Sequence, residues 1–154
     1  MQKTKVLKSV ATDFMGWLTL AEEVENLFGP MVSKKEFHDS LKEKISEGQA
    51  FCAKLKSKKS GAPLFGGIVI SKKDNEIIWF AVSKEQRGKG LGEKLITYAI
   101  ANLDQSRPIS VITFDENIKE GLPARKLYLK HGFINKEKKG SNPAGIPIVL
   151  MIKE

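Results

Sequence analysis

The segment Arg87-Gly88-Lys89-Gly90-Leu91-Gly92 combines three alternating glycines with two cationic side chains. It lies between the apolar run from Ile77 to Val82 and a run of residues with helical spacing, so it is predicted to be a turn between a strand and a helix. Glycines allow backbone amides to approach an anion closely, and the first turn of a helix adds free N–H groups and the positive end of its dipole. The segment is therefore predicted to bind a phosphate group, with a pyrophosphate as the expected ligand.

Two familiar phosphate-binding loops do not match this spacing. A Walker loop needs four residues between its first glycine and a Gly-Lys-Ser/Thr end, whereas no Ser or Thr follows a lysine here. A dinucleotide-binding fingerprint reads G-x-G-x-x-G, and Gly88 to Gly92 is one residue shorter. An ordinary turn between a strand and a helix remains the alternative to a phosphate site.

A second group of residues lies some forty positions later along the chain. The sequence Leu127-Tyr128-Leu129-Lys130-His131-Gly132-Phe133 is typical of a helix that ends at a glycine and is followed by a strand. Together, the two segments resemble the two most recognisable motifs of the GNAT superfamily of acyl-CoA-dependent N-acyltransferases. The first resembles its R/Q-x-x-G-x-G/A signature, with Arg87, Gly90 and Gly92 at the defining positions, and the second resembles its L-Y-x-K-x-G-F segment.

The resemblance implies acetyl-CoA as cosubstrate and assigns roles to individual residues. The backbone amides of Arg87 to Gly92 would hold the CoA pyrophosphate, and the strand ending at Val82 would pair with the pantetheine arm. Tyr128 would protonate the departing thiolate, as a phenol protonated at pH 7 can do, although a ring that only anchors the core is the alternative. The residues expected to bind the cofactor are Phe80, Ala81, Val82, Arg87, Gly88, Lys89, Gly90, Leu91, Gly92 and Lys130.

One stretch departs from the family pattern. Members often carry an asparagine three residues before the helix alanine, whereas Asn117 precedes Ala124 by seven positions. This puts the usual asparagine contact to CoA in doubt. We expect the longer turn from Asp115 to Pro123 to shape the acceptor pocket instead, together with the first two helices.

The sequence does not single out the base that an ammonium acceptor requires. The candidate carboxylates are Glu22, Glu23, Glu25, Glu76, Glu85, Asp115 and Glu116. Asp115 and Glu116 are the best of them, since they follow a strand beside the expected cleft. His38 and His131 are expected at the surface. The absence of His-Cys or paired-His spacing predicts no metal site.

Hydrophobic periodicity and turn residues predict the elements that position these residues. The expected strands are Lys5 to Val10, Ala50 to Leu55, Leu64 to Ser71, Glu76 to Val82, Pro108 to Phe114, Phe133 to Lys138 and Ile146 to Lys153. The second, third and fourth should form antiparallel hairpins, and the last should be buried on both faces. The expected helices run from Thr12 or Asp13 to Leu27, from a cap at Ser33 to Gly48, from Gly90 to Leu103, and from Pro123 to His131.

This order indicates an α/β (α+β) fold in a single domain over residues 1–154. The resemblance implies a mixed, mostly antiparallel sheet of six or seven strands, flanked by about four helices and splayed at the strand before Arg87 to Gly92. With 41% hydrophobic and 29% charged residues, the chain has enough apolar material for its own core.

The composition limits partners and location. The chain shows neither a signal peptide nor an apolar run that could span a membrane, so a cytoplasmic protein is expected. Cys52 lies in an apolar run and is expected to be a buried packing residue. The formal net charge of +8 suits a phosphorylated cofactor or a nucleic acid. The lysine groups at Lys54 to Lys59, Lys72-Lys73 and Lys136 to Lys139 lack interleaved aromatic pairs, so they are expected to be solvated turns and no nucleic-acid partner is expected.

The leading hypothesis is thus an N-acetyltransferase that acts on a small amine, a peptide N-terminus or a protein lysine. Because no base is evident, a non-catalytic CoA-binding regulatory module is the alternative. Binding of nucleic acid through net charge is a third and weaker one. The sequence leaves open the acceptor and whether the protein forms a homodimer.

Overall fold

The protein forms one seven-stranded sheet with helices on both faces, as described for residues 4–55 and 63–154 of a computed structural model. The lysines from Lys56 to Lys59 lie outside the described residues. The strands are β1 Thr4–Lys8, β2 Ala50–Leu55, β3 Gly66–Ser71, β4 Glu76–Val82, β5 Ile109–Phe114, β6 Phe133–Ser141 and β7 Pro147–Lys153. Their order across the sheet is β1-β2-β3-β4-β5-β7-β6.

The contact between β4 and β5 differs from every other strand contact in this sheet. The other neighbouring strands pair antiparallel, including the predicted hairpins β2–β3 and β3–β4. By contrast, β4 and β5 run parallel and pair only at Glu76 with Ser110 and at Ile77 with Val111. Beyond Ile77 the two strands diverge, which confirms the predicted splay.

The helices form two layers on opposite faces of the sheet. They are α1 Phe14–Glu23, α2 Glu25–Phe28, α3 Lys35–Ser46, α4 Leu91–Ala101 and α5 Leu122–Lys130. On one face, α1 and α3 pack through Trp17, Leu20, Leu41 and Ile45. On the other face, α4 and α5 pack through a core that includes Leu95, Ile96 and Tyr128. Full burial of side chains of this size stabilises the fold by roughly 1.5–3 kcal/mol each.

The first predicted helix is divided, and the predicted cap of the second is wrong. The chain leaves helical geometry at Val24 (φ −113°, ψ 9°), which separates α1 from the short α2. The Glu25 carboxylate accepts hydrogen bonds from the amides of Met31 and Val32 at 2.7 and 2.8 Å, and these bonds hold the following turn against α2. Ser33 lies in that turn, and α3 begins at Lys35 without a side-chain cap.

The prediction that the last strand is buried on both faces is also wrong. Along β7, Val149 and Met151 are buried in the core beneath α4 and α5, while the alternate residues Ile148 and Leu150 are only partly covered. The continuous run of apolar residues predicted too much burial for β7. The face that bears Ile148 borders the opening beside β5 and, within the described part of the chain, is not covered by a packed helix.

Two further observations concern burial. Cys52 is fully buried, as expected, and burial raises the pKa of its thiol to about 11, so it is unreactive at neutral pH. Among the described helices, none has the length and apolar character needed to cross a membrane.

Candidate active site

The glycine loop presents a series of unused backbone donors. Gly88 and Gly90 adopt left-handed backbone angles (φ +78° and +81°), which turn the chain from the end of β4 into α4. Among the described residues, none accepts a hydrogen bond from the amides of Gly88 to Glu93. A Cβ placed on Gly88 or Gly90 would meet no atom within 4 Å. The loop is therefore open to a ligand on its amide side, which is the property that anion binding requires.

Gly92 serves a different purpose from the other two glycines. A Cβ at this position would lie 2.9 Å from Cδ1 of Leu127 and 3.3 Å from Cζ of Phe80. The missing side chain lets the first turn of α4 approach α5 and β4 closely. This approach places Tyr128, the residue after Leu127, beside the end of β4.

A cleft of about 750 Å³ begins at the loop and follows the splay between β4 and β5. Its lining includes Leu91 and Leu127 from the face that carries α4 and α5, and Val24 and Met31 from the face that carries α1 to α3. The cleft therefore passes through the sheet, with one mouth on each face. A volume of this size is typical of a small-molecule site.

The divergence of β5 leaves one edge of β4 without a partner strand. Phe80, Ala81 and Val82 pair with β3 on one edge, and all three line the cleft. Residues of β5 past Val111 do not pair with β4. An unpaired strand edge offers N–H and C=O groups to an extended, amide-bearing ligand.

Tyr128 forms part of the cleft wall. Its ring packs edge-on against Phe80 and Phe133, with centroids 6.2 and 5.5 Å apart, and only 2% of the residue is exposed. The residue lines the cleft, and its hydroxyl makes no hydrogen bond to any described residue. Burial raises the pKa of the phenol well above its ordinary value, so the hydroxyl stays protonated at neutral pH.

The two predicted lysines do not line the cleft. The Lys89 ammonium lies 3.3 Å from the Gln86 side chain, and that of Lys130 lies 3.2 Å from Glu93 and is 66% exposed. Among the described residues, the cations that do line the cleft are Arg87 and Lys126. Lys126 and Lys130 are one helical turn apart on the same side of α5. The earlier lysine lines the cleft, whereas the later one, at the end of the helix, pairs with Glu93 of α4.

His131 is not a free surface residue. Its Nε2 lies 3.0 Å from Glu93 Oε2, and only a fifth of its side chain is exposed. The hydrogen bonds from His131 and Lys130 lower the pKa of Glu93, which lines the cleft near the loop. His38 is half-buried, with Nε2 2.6 Å from the Val32 carbonyl oxygen.

The favoured base candidates, Asp115 and Glu116, lie outside the cleft lining. Asp115 instead accepts hydrogen bonds from the amide and side chain of Asn117, at 2.9 and 3.0 Å. The carboxylate that lines the cleft in this turn is Glu120, in the 3₁₀ turn Lys119–Gly121. Sequence reasoning missed it, because nothing in the spacing separates Glu120 from its acidic neighbours.

Other candidate carboxylates serve local structure. Glu23 accepts hydrogen bonds from the Ser83 hydroxyl and the Lys84 amide, at 2.9 and 3.1 Å. The amides of Val32 and Met31 lower the pKa of Glu25 by donating to its carboxylate. Burial raises the pKa of Glu76, but Glu76 lies at the start of β4 and does not line the cleft. Glu22 and Glu85 are exposed and also lie outside the lining.

The sequence of the chain matches a known family over most of its length. The family model described as the acetyltransferase (GNAT) domain matches residues 19–154. The chain belongs to the GNAT acetyltransferase family. A comparison with curated protein sequences gave no match.

Solved structures share the GNAT fold at low sequence identity. A GNAT-family acetyltransferase from Bacillus cereus has 15% identity and a TM-score of 0.71, covering 99% of this chain and 97% of its own. The NatC complex, solved with Gag peptide and CoA, contains a chain with 17% identity and a TM-score of 0.74, covering 98% of each. A spermidine N-acetyltransferase chimera that includes the Vibrio cholerae enzyme has 18% identity and a TM-score of 0.66, covering 97% and 94%.

In this GNAT domain, the mouth on the face of α1 to α3 is built largely from residues that sequence reasoning did not single out. They are Val24, Leu27, Phe28, Met31, Trp79, Phe114, Asn142 and Ile148. The segments expected to shape an acceptor pocket differ in whether they line the cleft. The longer turn lines it through Glu120, Gly121 and Pro123, and α2 lines it through Leu27 and Phe28, whereas α3 lines only a smaller neighbouring cavity.

Proposed function

We propose that the protein is an N-acetyltransferase that moves the acetyl group of acetyl-CoA to a primary amine by direct attack in a ternary complex. The observation that carries this proposal is the run of free amides from Gly88 to Glu93 at one mouth of a cleft that crosses the sheet. The two mouths allow donor and acceptor to enter from opposite faces and meet at the splay. Family membership supports the same chemistry.

The described residues fit the donor. The amides of Gly88 to Glu93 would bind the pyrophosphate, with Arg87 and Lys126 adding positive charge from the cleft wall. The open edge of β4 at Phe80 to Val82 would hydrogen-bond the amides of the pantetheine arm. Acetyl-CoA supplies an activated thioester whose carbonyl carbon accepts the amine nitrogen and whose thiol is the leaving group.

Tyr128 would act as the general acid. Its hydroxyl has no competing partner among the described residues, and the hydrophobic surroundings of Phe80 and Phe133 keep it protonated. A neutral phenol at this place can donate its proton to the sulfur as the C–S bond breaks.

Glu120 would receive the proton of the acceptor. An amine at neutral pH is mostly ammonium and must lose a proton before it attacks. Glu120 is exposed and lines the cleft, so it can take that proton directly or through water. Asp115 and Glu116 are not placed to take this proton, because neither lines the cleft.

One observation favours the alternative, a regulatory CoA-binding module. No described residue orients the Glu120 carboxylate by a hydrogen bond or an ion pair, whereas dedicated bases are usually held in place. In that case the protein would bind CoA or acetyl-CoA in the cleft without transferring the acetyl group, and no free thiol would form.

Thiol release separates the two functions. The purified chain is mixed with acetyl-CoA and a panel of amines, and free thiol is followed with a chromogenic disulfide. We expect amine-dependent thiol release well above the rate without protein for at least one amine. A rate equal to that background for every amine, in protein that still binds CoA, would contradict the transferase and support the module.

A further inference from the structure

The mouth of the cleft on the face of α1 to α3 is walled by apolar side chains, and we call it the acceptor end. Its lining has one polar residue, Asn142, and is otherwise formed by Val24, Leu27, Phe28, Met31, Trp79, Phe114 and Ile148. The three aromatic residues form a continuous wall, because the Phe28 ring lies 5.7 Å from both Trp79 and Phe114. Phe28 thus bridges the gap between the diverging strands β4 and β5.

The acceptor end is held in shape by the polar contacts of Asn142, which also lines the cleft. The Asn142 side chain donates to the Leu27 carbonyl at 2.8 Å, which ties the turn between β6 and β7 to α2. Its Oδ1 also accepts from the amides of Ala144 and Ile146, so one side chain organises both segments. These bonds fix the wall before any ligand binds.

The acidic residues nearest to this wall are already engaged. Glu25 binds the amides of Met31 and Val32, and Glu23 binds Ser83 and Lys84. Among the described residues, this leaves Glu120 and Glu93 as the carboxylates that line the cleft, and Glu93 is paired with Lys130 and His131 near the loop. Glu120 is therefore the carboxylate available to an acceptor. It can pair with the reacting amine, and no second carboxylate of the described lining is left to pair with another ammonium group.

A largely apolar lining, with Ser40 and Lys44 as its polar residues, continues beyond the acceptor end. A second cavity of about 170 Å³ shares Ile78 and Trp79 with the cleft and is bounded by Phe37 and Leu41 of α3. Ile78 is 40% exposed between the two cavities, which is unusual for a large apolar side chain of a central strand. A ligand that crosses Ile78 would bury apolar surface on both sides.

We propose that the acceptor is a primary amine carrying a single large apolar group and no second charge. This inference rests on the proposed transferase function and assigns its substrate class. The apolar group would lie against Phe28, Trp79 and Phe114 with the amine directed to Glu120. A second ammonium at this end would lose its hydration without gaining a counter-charge, which is unfavourable. Small arylalkyl or aliphatic amines and peptides with an apolar first residue share this chemistry.

Matched amines test the proposal on the full chain. Hexylamine and hexamethylenediamine differ by one ammonium, and phenethylamine and spermidine extend the comparison. We expect kcat/KM for hexylamine to exceed that for the diamine by about tenfold or more, the effect of one unmatched polar group. Two short peptides that differ only in a first phenylalanine or lysine distinguish a peptide source from a small-molecule source.

A variant with a charge in the wall of the acceptor end provides a second test of the proposal. Leu27→Glu adds a carboxylate at the acceptor end and should reduce or reverse the preference for hexylamine over the diamine. Met15→Glu is the control, since Met15 is an exposed apolar residue of α1 outside the cleft, and it should keep the wild-type ratio. Circular dichroism establishes that both variants fold.

The outcomes separate this inference from the transferase proposal. Turnover of some amine with the diamine or spermidine preferred over hexylamine would overturn the inference and leave the transferase intact. An unchanged ratio in folded Leu27→Glu would also overturn it. Absence of turnover with every amine would overturn both.

Discussion

The hydroxyl of Tyr128 is set between a hydrophobic core and an open cleft. The rings of Phe80 and Phe133 pack edge-on against the Tyr128 ring, and burial raises the pKa of the phenol above its ordinary value near 10. In the proposed reaction, the acceptor amine must lose a proton while Tyr128 keeps its own until the C–S bond breaks. Because the proton is lost by one group and retained by another, there is a pH range in which the amine can be neutral while the Tyr128 hydroxyl is still protonated.

Replacing Tyr128 by phenylalanine should separate acid catalysis from binding. The ring is kept, so we expect CoA affinity to stay unchanged while kcat falls by about 100-fold, the lower range for loss of a general acid. In the wild type, kcat/KM should rise with pH as the amine becomes neutral and should not fall before about pH 10, since the raised pKa of Tyr128 keeps the hydroxyl protonated. Initial rates from pH 6 to 10 check both points; equal kcat in the two proteins would remove the assignment.

Single residues were predictable to different degrees. The glycines of the loop could be found because a left-handed backbone and close anion approach both require glycine at Gly88 and Gly90. Glu120 and Lys126 could not, because an exposed residue of the same charge lies four positions from each of them, Glu116 before Glu120 and Lys130 after Lys126. Only the direction in which the turn and α5 face the splay distinguishes them, and that direction depends on tertiary packing.

At the scale of elements, the packing of α1 on the sheet explains why β3 has a glycine at position 67, which belongs to neither sequence motif. Gly67 in β3 lies beneath Trp17 of α1, and a Cβ there would lie 2.5 Å from Cη2 and Cζ3 of the indole. The indole is held in place, since its Nε1 donates to the Ser9 hydroxyl at 2.9 Å. The bare backbone of β3 therefore lets α1 lie close to the sheet.

Gly67→Ala should destabilise the fold by about 1–3 kcal/mol through overpacking. Denaturant unfolding of the wild type, both single variants and the double variant with Trp17→Leu measures the coupling. Because leucine leaves room for the new methyl group, the alanine should cost less in the Trp17→Leu background. Additive free energies of unfolding would show that the indole does not restrict this site.

Most elements could be predicted from periodicity, and the failures share a cause. The strands Ala50–Leu55 and Glu76–Val82 match their predicted bounds, because lysine and glycine segments border them. The division of the first helix at Val24 was missed because it depends on the Glu25 carboxylate binding amides six and seven positions away. Such contacts leave no periodic signal in the sequence.

At the scale of the whole molecule, the cleft follows from the one parallel strand contact described in the sheet. Because β4 and β5 pair over two residues and then diverge, the sheet contains an opening. Helices on both faces convert it into a cleft with two mouths. The motifs predicted the donor mouth, while the apolar acceptor end emerges only when α2, β5 and the turn before β7 come together.

Titration calorimetry of CoA into three forms of the protein tests the central claim, that free amides of the glycine loop bind the donor. Gly90→Glu places bulk and negative charge among those amides, whereas Gly140→Glu makes the same change at a glycine that is equally open, has a similar φ of +77° and lies outside the cleft. We predict that the wild type and Gly140→Glu bind CoA with the same Kd and that Gly90→Glu binds at least about 100-fold more weakly. Equal affinity in Gly90→Glu, or no binding to the wild type, would contradict the account.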